Sequence, residues 1–330
     1  MCNGTIMDKL ISFSIPLMLS GILQLMFNAV DIVVVGRFSG SQALAAVGST
    51  TALINVFTNL FIGISLGANV LAARYYATGK TKEMSETVHT AIALALVSGV
   101  AMAVIGVVFA RGALEIMGTP DDVIAKSTLY MRIYFCGMPF FMMYNYGAAI
   151  LRAVGDTKRP LIFLIVSGVI NAVLNLFLVI GFHLDVAGVG IATVISQLVS
   201  CILVLRCLHH TESSYQLHLA KLRIRSVYLK QIFEVGVPAG IQSTVINISN
   251  AMLQSSVNSF GSIAMAGYTA SNNIFGFLYV SVNSFTQACM SFTSQNYGVK
   301  KLKRMDRVLI DCMILSVVVT LILGSSVYIF

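Results

Sequence analysis

Residues 10–35, LISFSIPLMLSGILQLMFNAVDIVVV, decide what kind of protein this is. The run is long enough to cross a hydrocarbon core of about 30 Å as an α-helix, and Asp31 is the only charge in it. It lacks the period-2 alternation of a barrel strand, so it reads as a helix. Further apolar runs of spanning length lie at 51–72, 90–110, 128–150, 161–182, 188–208, 232–257, 266–295 and 308–330. The expectation is an all-α polytopic membrane protein with about nine transmembrane helices.

Composition points the same way. Of the 330 residues, 57% are hydrophobic and 10% charged, and mean hydropathy is +0.86. A water-soluble domain uses about 25% charged residues. The net charge of +8 would suit nucleic acid only if the basic residues clustered on a folded surface. They sit instead in short loops between apolar runs, so no nucleic-acid partner is expected; membrane lipids are. The first run is too long for a signal-peptide core, and no small-residue cleavage site follows it. The six cysteines, Cys2, Cys136, Cys201, Cys207, Cys289 and Cys312, show no metal or redox spacing. No cofactor is expected beyond a coupling ion.

The loops orient the spans. With the N-terminus in the cytoplasm, the inside segments hold Lys9; Arg74, Lys80 and Lys82; Arg152, Lys158 and Arg159; Arg206, Lys221, Arg223, Arg225 and Lys230; and Lys300, Lys301, Lys303, Arg304 and Arg307. Only Arg37, Arg111, Lys126 and Arg132 fall outside. An excess of Lys and Arg in cytoplasmic loops sets topology. The reading is a multi-pass protein of the cytoplasmic membrane with its N-terminus inside.

An internal repeat is legible at an offset of 222. Phe13-Ser14-Ile15-Pro16 opens the first span as Val235-Gly236-Val237-Pro238 opens the seventh; Asn28 answers Asn250, and Phe38 answers Phe260. One repeat holds six spans, an even number, so both copies enter from the same side. They are then related by an axis along the membrane normal, with a substrate cavity between them. This divides the chain into a first lobe at 1–208, a cytoplasmic linker at 209–230 and the start of a second lobe at 231–330. Doubling the offset predicts about 440 residues and twelve spans, so about three spans are expected to lie beyond Phe330.

Polar residues inside the spans carry the functional reading. Asp31 is the only carboxylate well inside the first eight spans. A charge at the bilayer centre costs about 2.5–3.5 kcal/mol on insertion scales and marks function by default. The plain alternative is an interfacial acid beside Arg37. Against it, Gly21, Gln24, Asn28 and Asp31 follow helical spacing and form one polar stripe. Other spans supply neutral partners: Tyr130 and Tyr134 in the fourth, Asn171 and Asn175 one turn apart in the fifth, Thr193 and Gln197 in the sixth. Singly these read as interhelical hydrogen bonds; together, around one acid, they suggest a hydrated cation pocket.

From Val235 to Val299 there is no charged residue, and Leu253 stands at the repeat position of Asp31. Gln242, Asn247, Asn250, Asn273 and Asn283 are expected to line the second-lobe side of the cavity. Pro16 cannot donate a helical hydrogen bond and is the expected hinge, about four turns below Asp31. Gly63 and Gly67 form a small-residue face for close helix packing.

The segments Phe27-Asn28-Ala29-Val30-Asp31, Gly36-Arg37-Phe38 and Ala45-Ala46-Val47-Gly48 resemble the multidrug and toxic compound extrusion (MATE) family. So do the loop Arg152-Ala153-Val154-Gly155-Asp156-Thr157-Lys158-Arg159-Pro160 and the sixth span from Gly188 to Gln197. The resemblance covers essentially the whole chain. It implies a two-lobe antiporter of twelve spans that exports organic cations or related amphipathic solutes against inward H⁺ or Na⁺. By position, Asp31, Asn171, Asn175 and Thr193 match the family's first-lobe cation site. One departure stands out: the family often has Asp where this chain has Asn175. A single acid suits proton coupling, because protonation neutralises the pocket.

The leading expectation is therefore proton-coupled antiport of a small-molecule substrate by a monomer, with Na⁺ the close rival. A lipid-linked saccharide flippase of the same superfamily would want basic residues in its cavity, and the spans offer little beyond Arg132. A non-transporting membrane fragment is the third reading. An enzyme is not expected, since no span carries a His/Glu/Asp cluster or a Gly-Ser nucleophile motif.

Overall fold

In a membrane every backbone N–H and C=O must find a partner within its own segment, and a helix is the simplest solution. The computed structural model describes residues 1–258 and 262–329, and every regular element among them is helical. Ten α-helices follow one another: α1 Met7–Phe38, α2 Gly40–Ala77, α3 Thr81–Ile116, α4 Asp121–Cys136, α5 Met138–Ala153, α6 Lys158–Leu176, α7 Asp185–His209, α8 Ser226–Asn258, α9 Ser262–Gly298 and α10 Leu302–Ile329. A π-helical turn, Phe177–Gly181, extends α6.

The count of nine is corrected to ten because the fourth expected span, 128–150, is broken. Pro139 has no amide to donate to Phe135, and Gly137 N–H turns back to Tyr134 O at 2.9 Å. The break is also a close crossing, since a Cβ on Gly99 of α3 would stand 2.5 Å from Pro139 Cα. Six of the described helices are long and apolar enough to cross a membrane by themselves: α1, α2, α3, α6 with its π-turn, α7 and α10. The α4 and α5 pieces are each too short to do so. In α8 and α9, Asn, Gln, Ser and Thr dilute the apolar residues. The expected linker is also shortened, because α8 begins at Ser226 and takes in 226–230.

The larger core centres on α2–α5 and α7, where Phe135, Met138, Met142, Tyr146, Ile150 and Leu151 are fully buried, and takes in Val34 and Val35 of α1 and Ile232 of α8. A second core joins Leu10, Phe13 and Leu17 of α1 to Ala288 and Phe292 of α9 and to Val308 and Cys312 of α10. On α3, Val97, Val100, Val104, Val108 and Phe109 are exposed. That stripe suits lipid tails and would be a liability in water.

Between α2 and α8 the backbones almost touch. A Cβ on Gly63 would lie 2.2 Å from Gly240 Cα, and one on Gly67 would lie 2.1 Å from Ile232 O. Reciprocally, a Cβ on Gly236 would lie 2.6 Å from Ile64 Cα. Neutral hydrogen bonds tie α2 to α8 and the neighbouring helices α5 and α9. Asn69 donates to Ala149 O at 2.8 Å and accepts from the Ser291 hydroxyl at 3.1 Å; Tyr75 donates to Gln231 at 3.0 Å; Gln295 donates to Ala153 O at 2.6 Å. The linker between α7 and α8 is pinned to α3. His218 N–H donates to His89 Nε2 at 3.1 Å, and Glu86 pairs with both Arg223 and Arg225.

Overpacking a tight interior costs about 1–3 kcal/mol. Gly63→Ala or Gly67→Ala should therefore lower the melting temperature of the detergent-purified protein. Gly48→Ala, on the same helix but with open space around it, should leave it unchanged. Equal melting temperatures for all three would refute this account of the seam.

Candidate functional site

A carboxylate in an apolar helix needs a donor, and α6 supplies it. Phe27 of α1 lies against Gly168 of α6, where a Cβ would stand 1.9 Å from two ring carbons. That approach brings Asp31, one turn after Phe27, to the turn of α6 that carries Asn171 and Asn175. Both asparagines are buried. Asn175 Nδ2 donates to Asp31 Oδ1 and, at 3.2 Å, to Asn171 Oδ1. Directly beyond Asn175 the helix widens into its π-turn, a local form that is frequent at functional sites. Asp31 makes no ion pair among the described residues, with Arg37 or with any other base; its partner is neutral.

Two more helices close the neighbourhood. Tyr130 is buried, its ring 6.2 Å from that of Tyr134. Gly190 of α7 lets Ile133 and Tyr130 lie against that helix, since a Cβ there would meet Ile133 Cγ2 at 2.9 Å. One turn further along α7, Thr193 turns its hydroxyl back to Val189 O at 2.9 Å. Gln197 reaches the α4–α5 break, where a Cβ on Gly137 would be 2.7 Å from Gln197 Oε1. Two buried carbonyl oxygens, Asn175 Oδ1 and Gln197 Oε1, have no hydrogen-bond partner among the described residues. Leaving a buried acceptor unpaired costs about 1–3 kcal/mol. The site thus holds two acceptor oxygens beside the carboxylate that no described donor satisfies.

Asp31, Asn171 and Asn175 are therefore brought together, with Tyr130, Tyr134, Thr193 and Gln197 on the helices around them. Gln24 and Asn28 are exposed and form no side-chain hydrogen bond among the described residues. Gly21, at the lower end of the stripe, faces α9 instead, since a Cβ there would meet Val280 at 2.2 Å. Pro16 is buried within an unbroken α1, and its carbonyl accepts from the Ser20 hydroxyl at 2.8 Å. In α8, Gln242 and Asn250 are exposed, and Asn247 donates to Ser243 O at 2.8 Å. Asn283 is half-buried on α9. The side chain of Asn273 lies outside the described residues. Among the described residues, Gln242, Asn247, Asn250 and Asn283 form no hydrogen bond with Asp31. Sequence reasoning missed Gly168, Gly137 and the Gly236/Gly240 pair. Only the last had a signal, the same spacing as Gly63 and Gly67.

The MatE family model matches residues 16–177 and 238–330. The chain is 31% identical over 325 residues to the probable multidrug resistance protein YoeA of Bacillus subtilis, across 96% of this chain and 70% of that protein. It is 22% identical over 337 residues to the multidrug export protein MepA of Staphylococcus haemolyticus, across 98% of this chain and 73% of MepA. A crystal structure of MATE in the straight conformation superposes with a TM-score of 0.92 at 21% identity, covering 99% of this chain and 73% of that one. At that identity the superposition speaks for the fold alone.

Asn175→Leu removes the donor to Asp31 and should destabilise the protein by about 1–3 kcal/mol. Replacing both partners, in Asp31→Leu/Asn175→Leu, should recover most of that loss. Melting temperatures of the two variants in detergent check this; a double variant no more stable than the single one would contradict it.

Proposed function

This chain belongs to the MatE family, and we propose that it is a secondary antiporter exporting organic cations or other amphipathic solutes in exchange for H⁺. The relatives named above are a probable multidrug resistance protein and a multidrug export protein by name, which supports reading this chain as a membrane transporter. The observation that carries the proposal is Asp31, a carboxylate within a spanning helix whose partner is the neutral amide of Asn175.

The reading of orientation puts the N-terminus in the cytoplasm, supported by the excess of basic residues in the loops on that side. Two repeats would then meet at the seam. In support, the bonded pair Asn69 and Ser291 stands 222 residues apart, as equivalent positions do beside a two-fold axis.

In the proposed cycle the ionised Asp31 is held by the Asn175 N–H. A proton entering from outside removes the charge and makes Asp31 a donor. The Asn175 amide then turns over, giving up its bond to Asn171 Oδ1 unless the Asn171 amide turns with it, and offers its unpartnered Oδ1 to the new O–H. The hydrogen bond survives but the charge does not, so a cationic solute loses its attraction to the cavity and leaves outward. Pro16, whose ring leaves the Ser12 carbonyl without its helical donor, is where α1 would bend. The two unpartnered oxygens are also what Na⁺ would take, and the experiment separates the ions.

In proteoliposomes with an imposed pH gradient, Asp31→Asn should abolish gradient-driven efflux of a fluorescent organic cation. Its melting temperature should match wild type. Wild-type efflux in that variant would end the proposal. Efflux that survives collapse of the pH gradient but follows a Na⁺ gradient would assign Na⁺ as the coupling ion.

A further inference from the structure

A cavity of about 490 Å³ opens on the face that carries the basic loops, far along α1 from Asp31. Lys9 and Ser12 of α1 form one wall, and the turn from Val154 to Lys158 forms another, with Tyr215 of the linker beside it. Its floor is aromatic: Phe13 and Phe292 meet edge to face with ring centroids 5.5 Å apart. Gly155 holds the turn open with φ +100, a conformation that side-chain-bearing residues rarely adopt.

The charges on this wall do not cancel. Lys158 has no ion pair and no hydrogen bond among the described residues. Lys9 Nζ donates to the Asn3 carbonyl at 2.6 Å and makes no ion pair. The one acid on the wall, Asp156, is occupied by Arg159, through Nε at 3.2 Å and the backbone N–H at 3.1 Å. The first turn of α6, a helix of 19 residues, also begins at this wall and adds the positive end of its dipole. Two unopposed ammonium groups, hydroxyls from Ser12 and Tyr215, and an aromatic floor form a complementary set for one kind of ligand.

We propose that this cavity binds a phosphate-bearing anion. The lysines and hydroxyls take the phosphate oxygens, and an apolar portion lies on Phe13 and Phe292. Its volume is that of sites for small organic ligands, about 300–1,000 Å³. The phosphate can belong to an anionic lipid of the adjoining leaflet, for which basic pockets between spanning helices are suited, or to a free phosphate monoester. Because Lys9 stands on α1 and Lys158 on α6, the bound anion fastens the base of the helix that carries Asp31. The site does not depend on which ion drives transport.

The test uses the full chain in neutral detergent at low salt. Inorganic phosphate is titrated calorimetrically, and retention of phosphatidylglycerol over phosphatidylcholine is read by native mass spectrometry. Wild type is compared with Lys9→Gln/Lys158→Gln, and with Lys158→Gln alone should the pair fold poorly. Loss of the lysines should weaken binding by about tenfold or more, since each such charge contributes on the order of 1 kcal/mol near an anionic surface. Lysine-dependent phosphatidylglycerol retention without phosphate binding supports the lipid source. Lysine-dependent phosphate binding without lipid preference supports the free anion. Equal binding of both probes by wild type and variants overturns the proposal.

Discussion

The hydrogen bond from Asn175 to Asp31 is the interaction on which the first half of the molecule turns. A carboxylate set in an apolar helix has no water to hydrate it, so a donor must come from another helix, and the geometry of that helix follows. Gly168 has no side chain where Phe27 must lie, which lets α6 approach α1 closely enough for the amide to reach. Asn171, one turn away, accepts the second N–H of Asn175 and holds the amide in the orientation that serves a charged acid. The π-turn that follows leads into α7, which closes the pocket with Gln197 and Thr193. Remove the acid, and neither the paired asparagines nor the close crossing has a polar reason to be where it is.

The seam between α2 and α8 is built on the opposite principle. Its contacts come from absent side chains and one neutral hydrogen bond, Tyr75 to Gln231, while Ser291–Asn69 and Gln295–Ala153 tie α9 to α2 and α5 beside it. Neutral bonds of this kind contribute about 1 kcal/mol each, and glycine surfaces slide without having to unlock side chains. The ion pairs from the linker, Glu86 with Arg223 and Arg225, lie at the entry to α8. A surface fastened by charge at one end and by shape along its length can change its angle without being dismantled, which the proposed cycle requires.

How much of this could be read from the sequence depends on the kind of information involved. The helical class came from continuous apolar runs, and all of them reappear as helices. The fourth was mis-set, because hydropathy averages across Gly137 and Pro139 while the backbone breaks there. Asp31 and its asparagines were legible because they are rare in apolar surroundings and fall at helical spacing. The stripe below Asp31 was legible too, but its partners were not: a helical wheel gives the face of a residue and not its neighbour. That is why Gln24 and Asn28 are exposed while Asp31 is held. The glycines that set the crossings, Gly168 and Gly137, carried no signal at all. A residue that matters for what it lacks is visible only when another helix stands against it.

The asymmetry between the two halves completes the argument. If both carried an acid at equivalent depth, two protons would have to be placed and two charges screened within one cavity. Here Leu253 occupies the position that answers Asp31, and it is exposed. On the proposed reading, the acid that titrates among the described residues stands on α1, the helix that also contains Pro16 and whose base carries Lys9. On that reading one helix senses the proton at its outer end, can bend in its inner half, and is tethered below the bend by whatever fills the basic cavity. A proton on Asp31 releases the top of α1, whereas an anion beside Lys9 restrains its foot. The two ligands act on the same element from opposite ends, so by linkage each must alter the affinity for the other if both proposals hold.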